Sequence, residues 1–411
     1  MSRKKICKLS VETSINFELK KNISIPVLNN DCLKYIFAYL SIEDRLRMEE
    51  VCKTWRDASK HTWCDIKIYN SFDSKFIGDN FKHNPKQFQV KKLLTRCGIY
   101  LTSLSLNWNY DSRIMSAIRE HCHNVIELKL HLNNYNDNNF FGAFDKMDKL
   151  KTIEIYDYKV DSHVIYSNGI LKYLPKTIEH ILLSPRVNGL HVAPNIAMTI
   201  LKFTNLRSLK LQNLELDNNL MNAMTQSQNL THLDLKGSTL LGKKTWLKNL
   251  TNLKIINLTF IQNIDDNFMI SLQNNCKKLT KIDLSYCRYI SNFGLSQLGH
   301  LENLEKILLN GVDKVDNSII TKLQNLKSLE CIYCQNVTDK SIIKILNNSP
   351  NLEYLNIFKT GITSETLNCL SDVMKKRGNN INLNIFVDEN IASSFINIGD
   401  KISPNLFILK Y

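Results

Sequence analysis

"LTKIDLSYCRYISNFGL", Leu279 to Leu295, can be laid residue by residue over "LKSLECIYCQNVTDKSI", Leu326 to Ile342. Because side chains on a strand alternate between its two faces, the L-x-L part of this frame turns one side of a short strand inward. The two stretches therefore predict a repeated unit that begins with a strand. The matching positions are Leu279 with Leu326, Ile282 with Leu329, Leu284 with Cys331, Cys287 with Cys334, Ile290 with Val337 and Leu295 with Ile342.

The same frame occurs along most of the chain. Successive copies begin about 22 to 28 residues apart and share the L-x-x-L-x-L pattern of leucine-rich repeats. A single unit cannot bury its apolar side, whereas stacked units bury it as one continuous core. Apolar residues about three apart after each strand predict a helix, so we expect a curved parallel sheet inside and helices outside. Further copies begin at Leu253, Leu304 and Leu352, and weaker ones at Leu101, Val125, Leu150, Ile178, Leu206 and Leu230.

Cys331 and Cys334 have the C-x-x-C spacing of redox pairs and of half a zinc site. The repeat explains both positions, because Cys331 takes the place of an inward leucine and Cys334 the turn position that follows it. A zinc site would need two further ligands, and none stands out near this pair. We therefore interpret both as structural thiols, and we interpret Cys276, Cys287 and Cys369 in the same way.

The composition is that of a folded protein, since 43% of the 411 residues are hydrophobic and 22% are charged. The formal net charge of +14 would suit nucleic acid or an acidic partner. The Lys and Arg residues are scattered along the chain, whereas a nucleic-acid footprint clusters on one face. Nucleic acid is therefore not the expected partner, although a functional basic face stays open as an alternative.

The 11 cysteines are odd in number and, apart from Cys331 and Cys334, far apart, and the charged N-terminal stretch has no apolar segment of signal-peptide length. No apolar run reaches the roughly 18 residues that a membrane-spanning helix needs. These features predict a protein of the cytoplasm, the nucleus or both, with free thiols and without a membrane anchor. No cofactor is expected.

Residues 27–63 follow a helical period instead of a strand period. Ser41, with Asp44 three residues later, predicts a capped helix start between two apolar groups. Three short helices of about 40 residues bury little surface, so we expect exposed apolar side chains that meet a partner or the solenoid. The two apolar groups are Leu33, Ile36, Phe37 and Leu40, and then Leu46, Val51, Cys52 and Trp55.

This segment resembles an F-box, whose pattern is L-P-x-E-x-L-x-x-I-F-x-Y-L followed by D-L-x-x-x-x-x-V-C-x-x-W. Three positions depart from the pattern, since Asn29 stands for its Pro, Asp31 for its Glu and Glu49 for its small central residue. The matching residues are Leu28, Leu33, Ile36, Phe37, Tyr39, Leu40, Asp44, Leu46, Val51, Cys52, Lys53 and Trp55.

An F-box followed by such repeats is similar to the F-box/leucine-rich-repeat family. The resemblance implies an α/β fold: a three-helix F-box at 24–63, after a tail at 1–23, and then a leucine-rich-repeat solenoid with a C-terminal cap over 64–411. The repeat frame predicts the terminal strands of the array at the segments that start at Cys64 and Ile381. It further implies a non-catalytic substrate receptor of an SKP-cullin-F-box ubiquitin ligase. The F-box would bind the SKP adaptor and, through it, a cullin. The adaptor-binding positions implied are Leu28, Leu33, Ile36, Phe37, Leu40, Leu46, Val51, Cys52 and Trp55.

The target protein is expected on the outward positions of the strands, because the inward leucines are taken by the core. Aromatic side chains dominate interface hot spots, and several stand just past the second inward position of a repeat. Gly311 is predicted to leave a notch between two of these rings, and Lys281, Lys306 and Lys359 to favour an acidic or phosphorylated target. The predicted target-binding residues are Trp108, Phe260, Tyr286, Tyr333 and Phe358.

Two other classes of function remain open. The protein could be an interaction scaffold without a role in ubiquitination, or it could bind RNA or another acidic partner. An enzyme is not expected, because the chain has no Gly-rich phosphate loop, no H-E-x-x-H and no G-x-S-x-G motif. His121 and His123 form the one local histidine cluster, in a turn between a helix and a strand.

Overall fold

The computed structural model describes residues 28–72, 87–158, 169–186, 188, 190–191, 196–242, 244–377, 379–396 and 405–410. The predicted tail at 1–23 lies outside these ranges. The α-helices are Asn30–Ala38 (α1), Ile42–Val51 (α2), Lys53–Ser59 (α3), Gln87–Cys97 (α4), Met115–His121 (α5), Gly169–Tyr173 (α6), Ile196–Ile200 (α7), Asn218–Thr225 (α8), Asp266–Asn275 (α9), Asn292–Ser296 (α10), Asn317–Ile320 (α11), Asp339–Asn348 (α12), Ser364–Arg377 (α13) and Glu389–Ile396 (α14).

The strands in chain order are Ile68–Asn70 (β1), Ser103–Tyr110 (β2), Glu127–Leu132 (β3), Thr152–Tyr158 (β4), His180–Pro185 (β5), Leu190–His191 (β6), Ser208–Leu211 (β7), Leu214–Leu216 (β8), His232–Asp234 (β9), Thr239–Leu240 (β10), Ile255–Asn257 (β11), Lys281–Asp283 (β12), Lys306–Leu308 (β13), Ser328–Glu330 (β14), Tyr354–Asn356 (β15), Leu383–Val387 (β16) and Leu406–Lys410 (β17). Fourteen of them form one parallel sheet in chain order, and β6, β8 and β10 form a small second sheet.

The first three helices begin at side-chain caps. Asn29 Oδ1 accepts the backbone N–H of Cys32 at 2.8 Å and starts α1. Ser41 Oγ accepts the N–H of Asp44 at 3.1 Å and starts α2, which confirms the predicted cap. Such caps satisfy N–H groups that have no partner within the helix. The departure at Asn29 therefore has a local function in this chain.

The core of the solenoid is the continuous stack of inward leucines that the repeat predicts. Leu279, Ile282 and Leu284 are fully buried, and so are their counterparts in the neighbouring repeats. Fully burying such a side chain is worth about 1.5–3 kcal/mol, so the stack supplies most of the driving force for folding. The predicted fold, a helical N-terminal unit before a parallel sheet with outer helices, is confirmed.

The sequence prediction of the terminal strands is right at the N-terminal end of the sheet and wrong at the C-terminal end. The segment from Cys64 contains β1, which is the first strand of the sheet and pairs with β2. The segment from Ile381 contains β16, but the prediction that β16 ends the sheet is wrong. Five residue pairs join β16 to one more strand, β17. That strand was missed because "LFILK" is a short, continuous apolar run without the leading L-x-x-L of the repeat.

Strand length changes along the solenoid. β2 has eight residues, whereas each strand of the large sheet from β9 to β15 has three. In the C-terminal repeats the chain therefore leaves the sheet before it reaches the predicted aromatic positions, which lie beyond the carboxyl ends of the strands.

Candidate protein-interaction surfaces

The F-box unit carries apolar side chains that nothing in the described part of the chain covers. Tyr35 and Tyr39 on and just after α1 are 73% and 90% exposed, and Ile36 beside them is 46% exposed. Leu28 before α1 and Val51 at the end of α2 are also exposed. Exposed apolar side chains in such number mark protein interaction sites. We call these five residues the F-box apolar set.

Only part of the predicted adaptor-binding set is on this surface. Leu33 and Phe37 are buried against Ala58, and Leu46 is buried in the core of the solenoid's first repeat. Their side chains cannot reach a partner in this conformation, so we correct their role to packing. Leu40 and Trp55 are partly buried against the same helices, and the Trp55 ring lies 5.4 Å from that of Phe37. A contact with an adaptor stays a prediction for the exposed Leu28, Ile36, Val51 and Cys52.

The sequence prediction missed Tyr35 and Tyr39 as surface residues. Leu33 and Phe37 are four residues apart and define the buried face of α1. The two tyrosines are out of phase with that pair, and this offset was the available signal. Their rings, on α1 and directly after it, are open to solvent.

Arg45 organises the F-box from inside. Its guanidinium donates at 2.6 Å to the carbonyl of Ala38, at the end of α1, and at 2.6 Å to the carbonyl of Thr62. It also forms a bidentate pair with Asp65, at 2.8 and 3.0 Å. A cation suits the end of a helix, where carbonyl groups lack partners. Arg45 therefore holds α1, α2 and the turn after α3 together.

Glu49 joins the F-box to the solenoid. The Glu49 carboxylate is 3% exposed and accepts the indole N–H of Trp63 at 3.0 Å and the Nε–H of Arg96 at 2.8 Å. Arg96 belongs to α4, the first helix of the solenoid. Beside it, Lys92 Nζ lies 2.7 Å from a carboxylate oxygen of Glu50. The departure at Glu49 is therefore a buried internal connection.

In the C-terminal repeats the aromatic positions fall on residues with left-handed backbone. Phe260, Tyr286 and Tyr333 have φ of 64°, 62° and 63°. Residues other than glycine rarely adopt this backbone conformation, because it is sterically unfavourable for them. Hydrogen bonds to the next repeat hold it: the N–H of Phe260 donates to the Ser285 carbonyl at 2.9 Å, and that of Tyr286 to the Asn310 carbonyl at 2.8 Å. The rings therefore stand in a line at the carboxyl edge of the sheet.

The rings of this line form two pairs. Phe260 and Tyr286 are stacked, with centroids 4.6 Å apart and planes 8° from parallel. Tyr333 and Phe358 meet edge to face at 6.1 Å. Lys359 lies over the Phe358 ring at 5.2 Å and forms an ion pair with Asp388 at 3.2 Å. The predicted C-terminal aromatic residues are therefore in contact within each pair.

The predicted notch at Gly311 is wrong. Gly311 does have left-handed backbone, with φ 64°. The space above it, however, is taken by the Tyr286 ring, with which a Cβ on Gly311 would collide. The absence of a side chain thus makes room for a ring of the same protein. No opening for a partner's side chain follows from it.

Trp108 belongs to a different surface. It contacts Phe72 at 5.7 Å, and Phe72 contacts His131 at 4.8 Å, which is stacked on Tyr156 at 4.4 Å. Six strand steps separate β2 from β11 in the sheet. At the usual strand spacing this is about 29 Å, so Trp108 cannot act in one patch with Phe260. The predicted single group of aromatic residues is corrected to two.

The buried thiols are held by the backbone. Cys334 Sγ donates to the Leu309 carbonyl at 3.2 Å, and Cys287 Sγ to the Leu258 carbonyl at 3.0 Å. Burial raises the pKa of both thiols to about 12 and raises that of Cys331 as well. Protonated, buried thiols are poor nucleophiles. Among the described residues, no three His, Cys, Asp or Glu side chains are arranged to hold a metal ion.

The chain matches one domain model and is similar to solved structures. The F-box domain model matches residues 25–67. A crystal structure of the Rad7 and Elc1 complex in yeast is similar over 93% of this chain and 93% of that chain, with 15% identity and a TM-score of 0.54. An internalin (inlF) from Listeria monocytogenes covers 67% of this chain and 77% of its own, with 15% identity and a TM-score of 0.44.

These comparisons show an F-box domain and the fold of the chain. The chain carries an F-box domain, and the likeness to the Rad7 structure shows the same fold. The resemblance to F-box proteins with leucine-rich repeats is therefore confirmed. Within the described residues, no helix has the length and apolarity needed to cross a membrane.

Proposed function

We propose that this protein is the substrate receptor of an SKP-cullin-F-box ubiquitin ligase. The observation that carries the proposal is the union of an F-box, with its exposed apolar set, and a solenoid joined to it through the buried Glu49. One part would bind the adaptor, and the other would bind the protein to be ubiquitinated and degraded. The transfer of ubiquitin would be done by other subunits.

The adaptor side rests on the exposed helix α1. F-box domains bind Skp1-like adaptors, and the crystallised Rad7 is in a complex with Elc1. Tyr35, Ile36 and Tyr39 offer a contiguous run of side chains for such a contact. Aromatic side chains bury a large area at low entropic cost, which suits the centre of an interface.

The target side rests on the solenoid. The two ring pairs, Phe260 with Tyr286 and Tyr333 with Phe358, lie along one edge of the sheet and remain partly open to solvent. Burying these rings against a target would stabilise a complex, since aromatic residues at the centre of interfaces carry much of the binding energy. A ligase of this class would act in the cytoplasm, the nucleus or both, and we propose that location.

Affinity purification of the full chain with the proteasome inhibited tests this function. Wild type should bring down an SKP adaptor and a cullin, whereas Ile36→Glu with Tyr39→Glu should bring down neither. Both side chains are exposed, so the substitutions should leave the fold intact. Phe293→Glu, an exposed aromatic residue on α10, is the matched control.

The alternatives have their own outcomes in this experiment. Recovery of the adaptor without a cullin would indicate an interaction scaffold. If wild type recovered no adaptor, the proposal would be contradicted. Nucleic acid in the purified fraction, released by moderate salt, would favour the RNA-binding alternative.

A further inference from the structure

Lysines on the concave face of the sheet differ in how their charges are balanced. In the N-terminal repeats, Lys129 on β3 lies 2.9 Å from Glu127 and 3.6 Å from Glu154. Further along, Lys327 lies 2.9 Å from Glu305, and this pairing raises the pKa of the Lys327 ammonium. Acidic neighbours therefore balance these cations.

Lys281 and Lys306 are an exception. They are register partners on β12 and β13, so their side chains rise from directly adjacent positions on the same face. Adjacent strands are about 4.8 Å apart, and like charges at such positions repel each other. Within the described part of the chain, neither lysine forms an ion pair with an acidic side chain. Two positive charges without an ion-pair partner in that part of the chain therefore lie side by side on the concave face.

The two lysines border a hollow of about 270 Å³, with Leu308, Ser328 and Tyr354 along its length. Lys327, Glu330 and Glu353 complete its lining. The Glu330 carboxylate already accepts the side-chain N–H of Asn310 at 3.0 Å. Because two glutamates border the hollow, a ligand with a single negative charge fits it better than a doubly charged phosphate.

The hollow is within reach of the aromatic line. Tyr286 follows Lys281 by five residues on the same repeat. At about 3.3 Å per residue, this separation is at most roughly 16 Å, which four or five residues of an extended peptide can span. The same peptide could thus place one side chain at the lysines and another against Phe260 and Tyr286.

We propose that the solenoid binds an acidic, extended segment of its target protein. An Asp or Glu carboxylate lies between Lys281 and Lys306, and an apolar side chain four or five residues away packs on the Phe260–Tyr286 pair. This inference rests on the proposed role as a receptor and specifies the chemistry of what is received. The charge complementarity at the lysine pair decides for an acidic segment.

A phage-displayed library of random 12-residue peptides, selected on the immobilised full chain, tests this inference. The expected peptides carry Asp or Glu, followed or preceded at four or five residues by an aromatic or aliphatic residue. Fluorescence anisotropy then compares each selected peptide with its Asp→Asn or Glu→Gln counterpart. The charged form should bind at least about tenfold more tightly, because hydrogen bonds to charged groups are the stronger ones.

The protein variant for the same measurement is Lys281→Gln with Lys306→Gln, which should abolish the difference between charged and amide peptides. Lys340→Gln with Lys344→Gln removes two exposed lysines from helix α12 and is the matched control. It should bind as wild type does.

Three results would overturn the inference: selection of no peptide, selection of peptides without an acidic residue, or acidic peptides whose binding survives the Lys281/Lys306 substitution. A phosphoserine peptide that binds more tightly than its Glu counterpart would also count against a carboxylate. Adaptor capture, measured on the same samples, should be equal in all variants. If wild type failed to capture the adaptor, that result would contradict the proposed receptor function and would not bear on the binding of an acidic segment.

Discussion

The Glu49 carboxylate and the Arg96 guanidinium form an ion pair of 2.8 Å between the second F-box helix and the first helix of the solenoid. The carboxylate is almost fully buried, and its other oxygen accepts the indole N–H of Trp63. A buried carboxylate needs such partners, because burial without them is costly. The pair thus fixes the F-box against the solenoid, so an adaptor on one part and a target on the other would be held in a defined geometry.

Glu49→Ala should lower the free energy of unfolding by about 2–4 kcal/mol, because it leaves the Trp63 N–H and the Arg96 guanidinium without their acceptor. Urea unfolding followed by Trp fluorescence measures the change. Glu50→Ala is the matched control, since Glu50 is exposed and its pair with Lys92 lies in solvent. That variant should unfold like wild type. Equal behaviour of the two variants would contradict the structural role of Glu49.

Cys331 and Cys334 should tolerate replacement in different ways. Cys331→Val keeps an inward apolar side chain of similar volume and should cost less than about 1.5 kcal/mol. Cys334→Ser keeps a donor for the Leu309 carbonyl, whereas Cys334→Ala loses it and should cost about 0.5–1.5 kcal/mol more. Thermal unfolding of the three variants measures the order of their stabilities. Stoichiometric zinc in the wild type, lost on either change, would refute the structural interpretation.

Burial should also protect the repeat cysteines from alkylation. It raises the pKa of the Cys287 and Cys334 thiols to about 12, so at about pH 8 they stay protonated while a thiolate is needed for reaction. Exposed Cys52 and Cys64 should react with iodoacetamide first, as read by peptide mass spectrometry. Because the folded pKa is raised, burial stabilises the fold below the ordinary thiol pKa, and this contribution is lost as pH rises toward 12. Early labelling of Cys334 in the native protein would argue against its burial.

The solenoid could be predicted from the sequence because its information is local and repeated. Leu279, Ile282 and Leu284 specify a strand with one buried side, and the recurrence of that frame specifies stacking. The prediction failed where geometry depends on other repeats. Nothing in the letters around Tyr286 shows that its ring covers Gly311 in the following repeat.

The F-box surface was predictable only in part, for a related reason. A helical period groups Leu33, Ile36 and Phe37 on neighbouring faces, but it does not say which of them meets the rest of the domain. Glu49 looks like a solvated residue in the middle of a helix. Its partners Trp63 and Arg96 are 14 and 47 residues away, so only the folded chain shows that it is an internal connection.

The last prediction concerns the rings at the carboxyl edge of the sheet. Phe260 and Tyr333 are 48% and 52% exposed, so they contribute little to the stability of the fold. Tyr286, in contrast, is packed on Gly311 and contributes to stability. Phe260→Ala with Tyr333→Ala should therefore leave adaptor binding and the unfolding midpoint close to those of wild type. Loss of an aromatic anchor at the centre of an interface commonly costs at least about 2 kcal/mol of binding.

Quantitative mass spectrometry of proteins co-purified under proteasome inhibition measures the effect, which should be a loss of target proteins with the adaptor retained. Tyr289→Ala with Phe293→Ala removes two exposed rings from the repeat that begins at Leu279, between those of Phe260 and Tyr333, and serves as the control. If that control loses the same proteins, the effect belongs to exposed rings in general. If neither pair loses any, the target lies on another surface, and the cluster of Phe72, Trp108 and His131 on the N-terminal repeats would be the next place to truncate.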